Sequence, residues 1–104
     1  MFATIRRYES VDQSRTDELV KRVDETLLPR LSELPGFGGY QLIKGGDGVI
    51  TSVGVFDTSA QADESTKLAS TWVRDEKLEQ ALPKAPRISS GEIVAQQMRE
   101  LVKA

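Results

Sequence analysis

Cysteine, histidine and asparagine are all missing from the sequence. Without cysteine there is no disulfide and no thiolate nucleophile. Without histidine or cysteine the usual zinc, copper and non-haem iron sites cannot be assembled, so no metal is expected. A Ser-His-Asp or Cys-His triad is excluded as well. Any chemistry falls to Asp, Glu, Lys, Arg, Tyr, Trp and the backbone. Aromatic residues are also scarce, and the single Trp and the two Tyr therefore each need to be placed. A net charge of −2 argues against nucleic acid or an anionic membrane as partner, because both favour a cationic face. No apolar run approaches the ~18 residues of a bilayer-spanning helix. The chain opens on a strand pattern and not on a basic-then-apolar leader, so the expected location is cytoplasmic.

What is present suits one domain with a single core, spanning residues 1–104. Met1 to Glu9 alternates, with Phe2, Thr4, Arg6 and Tyr8 on one side and Ala3, Ile5 and Arg7 on the other. From Ser14, or from Asp12 if that residue caps, Leu19, Val20, Val23, Leu27, Leu28, Leu31 and Leu34 recur at helical spacing. Pro29 interrupts this pattern and predicts a kink or an end near Leu28; Pro35-Gly36 stops it. Phe37–Lys44 and Val49–Phe56 flank Gly45-Gly46-Asp47-Gly48, the mark of a hairpin.

Asp57-Thr58-Ser59 then caps a second helix with Ala62, Leu68, Ala69, Trp72 and Val73 on its apolar stripe, which Leu78 and Leu82 would extend. Ser65 and Thr66 stand where core residues are expected, so that helix is either less deeply seated than the first or faces a pocket. Pro83 and Pro86 are expected to end it, Ile88–Gln96 reads as a last strand, and 97–104 as a short helical tail.

The order βα–ββ–αβ predicts a ferredoxin-like α+β fold: a four-stranded antiparallel sheet in order 4-1-3-2 with both helices on one face. The other face needs cover. Phe2, Thr4, Arg6 and Tyr8 of the first strand and Val49, Thr51, Val53 and Val55 of the third are the expected open surface. So much apolar area calls for a twofold copy, giving a homodimer in which two sheets close into an α/β barrel.

Four stretches carry a resemblance: Phe2-Ala3-Thr4-Ile5-Arg6-Arg7-Tyr8, Leu34-Pro35-Gly36-Phe37, Val53-Gly54-Val55-Phe56, and Trp72 late in the second helix. From Phe2 to about Gln96 the chain resembles the dimeric α/β-barrel proteins, in particular the antibiotic-biosynthesis-monooxygenase-like group. The resemblance implies a small pocket between sheet and helices, and a cofactor-independent oxidation of a small aromatic or quinol by dioxygen. Such chemistry needs the protein only to deprotonate, desolvate and orient its substrate. Pocket residues known in that group are an asparagine, a tryptophan and at times a histidine; only Trp72 has a counterpart here. Haem-degrading relatives need a histidine, which closes that branch.

Trp72 and Tyr40 are the catalytic candidates, each with a packing role as the plainer reading. Arg6, Tyr8, Thr51 and Glu92 are the candidates for substrate binding. Arg6 is expected to form a cross-strand ion pair with Glu92; if that pair is incomplete, Arg6 is free to orient an acidic substrate. Gly38-Gly39 lacks the helix that a phosphate loop requires, the Asp47 turn lacks calcium-ligand spacing, and Arg74–Lys77 reads as a solvated helix face. Two other functions fit the same scaffold. One is a non-catalytic dimeric protein that binds a small ligand. The other is a non-redox lyase or isomerase with Glu92 or Tyr8 as base.

Overall fold

The computed structural model describes residues 1–99. Its elements are β1 (Phe2–Tyr8), a 3-10 turn (Gln13–Arg15), α1 (Thr16–Arg22), a π-helical turn (Val23–Leu27), α2 (Leu28–Ser32), β2 (Phe37–Lys44), β3 (Ile50–Phe56), α3 (Ser59–Asp75) and β4 (Arg87–Glu92). The four strands form one antiparallel sheet in the order β2-β3-β1-β4, which is the expected order read from the other edge. Leu19, Val23, Leu27 and Leu31 of the first helical segment and Ala62, Ala69 and Trp72 of α3 bury their stripes against a single face of it.

Each helix takes its form from identifiable residues. Asp12 opens the first segment, its Oδ1 accepting from the Ser14 backbone N–H at 3.0 Å and from Ser14 Oγ at 2.6 Å; Ser14 itself does not cap. Pro29 neither ends the helix nor leaves it a regular α-helix. Lacking an N–H, proline cannot sustain the i→i−4 ladder, and the turn before it widens so that the Leu28 N–H donates to the Val23 carbonyl. Thr58 and Gln61 form a capping box at the start of α3, with bonds of 3.2 and 3.1 Å.

The prolines do not terminate α3. It stops at Asp75, where Lys77 enters the left-handed region at φ 56° and Leu78 donates back to the Val73 carbonyl at 2.9 Å. Leu78 and Leu82 are buried, but in the turn beyond the helix. The last strand likewise ends earlier than expected, at Glu92 and not Gln96. After the bond from Ile93 N–H to the Met1 carbonyl, at 2.8 Å, β1 offers no further residue to pair with. Residues 97–99 form no helix; the remainder of the expected helical tail lies outside the described residues.

Side-chain direction on β1 is the reverse of the expected one. Cross-strand partners share a face, and Thr4 pairs with Gly54, Arg6 with Ser52 and Tyr8 with Ile50, all on the helix side. Thr4 and Arg6 are fully buried beneath the helices. The open face therefore carries Ala3, Ile5 and Arg7, opposite Val55, Val53 and Thr51. Hydrogen bonds to Ser52 and Ser65 for Arg6, and to Thr66 and Ser90 for Thr4, let these polar side chains lie on the covered face.

Candidate functional site

Arg6 leaves the centre of β1 and runs into the space under α3, where only 3% of its surface is exposed. Its Nε donates to Ser52 Oγ on β3 at 3.2 Å, and its Nη1 donates to the Ser65 carbonyl on α3 at 3.3 Å. Ser65 has a further bond, from Oγ to the Ala62 carbonyl at 2.6 Å. Small residues at Ala62, Ser65 and Ala69 let α3 approach the sheet closely enough for the guanidinium to reach helix backbone. The expected partner is not there. Glu92 pairs with Phe2 in the strand register, whereas Arg6 pairs with Ile88, a separation of about 13 Å along β4. Among the described residues no carboxylate forms an ion pair with Arg6. What this side chain lacks is charge compensation, not hydrogen bonds.

A cavity adjoins it, lined by Arg6, Tyr8, Tyr40, Ser52, Trp72 and apolar side chains from α1, the π turn and β3. Its free space is about 20 Å³, enough for a single water. Burial raises the phenol pKa of both Tyr8 and Tyr40. The positive charge of Arg6 works against that rise at both, and at Tyr40 polar contacts with Ser52 and Arg6 do so too. Both tyrosines are thus held as neutral phenols beside an uncompensated cation.

Two local devices shape the cavity. A bulge between Phe37 and Gly39 breaks the two-residue alternation of β2, so that Phe37 and Tyr40 both face the helices. Phe37 packs edge-on against Phe56, ring centroids 5.8 Å apart, while the Tyr40 ring lies beside Gly54, where a Cβ would press against Phe56 and Thr4 as well. The second device is the π turn. It presents Thr26 to Trp72, whose indole Nε1 donates to Thr26 Oγ1 at 2.7 Å; Thr26 in turn donates to the Arg22 carbonyl at 2.8 Å. This satisfies the buried indole N–H within the protein.

Four of the six expected site residues meet at this cavity: Arg6, Tyr8, Tyr40 and Trp72. Thr51 does not, since it lies on the open face of the sheet opposite Arg7. Glu92 stands exposed on the edge strand. Ser52, Ser65 and Thr26 were not among the candidates. Ser52 was within reach of the register argument, because the pairing that buries Arg6 buries the residue opposite it. Ser65 did carry a signal, as a polar residue at a core position of the second helix, and it is buried there; nothing in the spacing singles out Thr26.

No family model and no curated protein matches the sequence. Solved structures do match. A protein of unknown function from Nitrosomonas europaea is 17% identical over 95% of this chain and 94% of its own, with a TM-score of 0.74. A monooxygenase of Streptomyces coelicolor, solved in complex with nanaomycin D, is 14% identical over 95% and 92%, at 0.72. A dimeric ferredoxin-like protein from an uncultured marine organism is 18% identical over 95% and 92%, at 0.69. The fold is ferredoxin-like. Others sharing it carry the name antibiotic biosynthesis monooxygenase, so the resemblance read from the strand and junction motifs holds at the level of architecture. At these identities the likeness carries the fold and no particular activity.

Proposed function

We propose that the protein is a cofactor-independent, monooxygenase-like enzyme whose Arg6 cavity receives the deprotonated oxygen of a small aromatic or quinol. The observation that carries this reading is a buried guanidinium without a carboxylate, set among two tyrosines and the one tryptophan. A buried cation without a counter-charge is costly, and a bound phenolate supplies the missing anion. The phenolate is also the form of such a substrate that gives up electrons to dioxygen most readily, so holding it ionised, dry and oriented is the protein's task. Arg6 orients the oxygen, with Tyr8, Tyr40 and Trp72 lining the cavity around it.

For a hydroquinone the balance is one hydroquinone and one dioxygen in, one hydroxybenzoquinone and one water out. One oxygen atom enters the ring in place of a ring hydrogen, and the other leaves as water. All four electrons come from the substrate. Neither tyrosine is poised as a base, because burial keeps both protonated. Turnover is therefore expected to favour acidic phenols and to rise with pH as the substrate ionises. The monooxygenase names of several structural neighbours support the reading, as does the nanaomycin D complex of one of them.

The open sheet face supports self-association. Ile5 and Ile43 are 39% and 48% exposed, and Val53 and Val55 lie between them on the same face. A second copy covering that face would make the homodimeric barrel, an assembly in keeping with the dimeric neighbour.

A non-catalytic ligand binder is the second reading, favoured by the small free volume beside Arg6. The lyase or isomerase reading has less support, because Glu92, one of its two bases, is exposed and remote from Arg6. Oxygen uptake with a panel of hydroquinones under isotopically labelled dioxygen separates these. The oxygenase reading expects one labelled atom in the product and a loss of about 100-fold in rate for Arg6→Met. Uptake no faster than autoxidation, with ligand binding retained, would leave the binder.

A further inference from the structure

The Arg6 cavity shares a wall with a much larger hollow. Between α1, the π turn and β2 runs an open groove of about 360 Å³, bordered by Val20, Lys21, Asp24 and Leu28. Val23, Tyr40 and Leu42 line both the groove and the cavity. Of these three, Val23 is fully buried on a helix, whereas Tyr40 and Leu42 are half-buried on β2, whose register slips immediately before Tyr40. The partition is therefore weakest at Tyr40.

We propose that the cavity and the groove are one ligand site interrupted by the Tyr40 side chain, and that it takes an elongated aromatic monoanion. The charged oxygen reaches Arg6, and the flat apolar body lies in the groove against Val20, Leu28 and Leu42. Charge and shape both point this way. Arg6 is an anchor in need of a negative charge, yet the space beside it holds no more than a water, so any ligand that reaches it must extend past Tyr40. The groove supplies the length that the cavity lacks. Asp17 and Asp24 at the groove's edge outnumber Lys21, so the groove disfavours a second negative charge on the ligand. This deepens the reading of Arg6 as an anion receptor and rests on it.

Biphenyl-4-carboxylate, its neutral carboxamide and benzoate test the proposal, with affinities from calorimetry and association rates from the fluorescence of Trp72. The wild-type protein is expected to bind biphenyl-4-carboxylate about tenfold to a hundredfold more tightly than the carboxamide, and Arg6→Met to remove that preference. Val20→Glu, on the exposed side of α1, is expected to weaken biphenyl-4-carboxylate several-fold while leaving benzoate unaffected. Tyr40→Ala is expected to speed association at least about tenfold, if the open state is a minor one of the usual size. Equal affinity for acid and amide would overturn the proposal. So would a Val20→Glu effect that is absent or the same for both acids, or an association rate indifferent to Tyr40. None of these probes is oxidised, so the outcome stands apart from the oxygen-uptake result. Binding without uptake removes the oxygenase reading and keeps the extended site; uptake without this binding pattern removes the extended site alone.

Discussion

The two faces of the sheet differ in the opposite sense from what a free-standing monomer would need. On the helix side, the centre of the sheet is polar: Thr4, Arg6 and Ser52 are all buried there, with Ser65 above them. On the open side, the centre is greasy, with Ile5 and Val53 paired across β1 and β3 and Val55 beside them. Hydrophobic burial normally sorts residues the other way. A polar middle inside a shell of Phe56, Leu27, Leu31 and Leu78 makes sense if that interior receives a ligand. An apolar exterior makes sense if it receives a partner. The contrast teaches that stability and function are separated on this sheet by a single residue of register.

The contrast can be broken most forcefully from the inside. Phe56 is fully buried and packs edge-on against Phe37, so Phe56→Ala is expected to cost about 3–5 kcal/mol in chemical denaturation. Val53→Asp attacks the opposite face. It is expected to weaken self-association by about 3 kcal/mol, read as a shift toward monomer in sedimentation equilibrium, because twofold symmetry brings the new charges together. A Val53→Asp protein that kept its assembly state would show that the open face is not the contact.

Thr26→Val probes the seam between the π turn and α3. It leaves the Trp72 indole N–H without its 2.7 Å acceptor and is expected to cost about 1–3 kcal/mol, with a changed tryptophan emission. The smallest effect is in pH. Burial raises the folded-state pKa of Tyr8 and Tyr40 above the ordinary 10.0. The unfolded chain therefore releases these protons first, and the slope of stability against pH is negative. The contribution is whole below pH 10 and is lost as pH climbs through the folded-state values. Tyr8→Phe and Tyr40→Phe should each flatten that alkaline decline.

Much of the architecture was legible because it rests on periodicity and punctuation. The hairpin glycines, the Thr58 cap and the Pro35-Gly36 stop each act locally, and local rules placed them. The misplaced features of the site were set by distant partners. Whether Arg6 faces the helices depends on how β1 registers with β3, and the alternation within β1 is equally compatible with either side. The Arg6–Glu92 pairing failed for the same reason, because β4 slides to place Ile88 opposite Arg6. Pro29 announced an irregularity, but its form, a widened turn that delivers Thr26 to Trp72, depends on what α3 offers across the interface. Tyr40 was a candidate from the start, but the face it takes depends on a bulge that no spacing rule marks, since Gly38-Gly39 reads equally well as a flexible strand start.

The central claim, that Arg6 is a cation held in reserve for a bound phenolate, is tested most directly by the colour of bound 4-nitrophenol. Its phenolate absorbs in the visible and its neutral form does not. At a pH where the free dye is mostly protonated, the wild-type protein should turn bound dye yellow, and Arg6→Met should bind it colourless or not at all. Bound dye that stays colourless on the wild-type protein, or turns equally yellow on Arg6→Met, would contradict the claim.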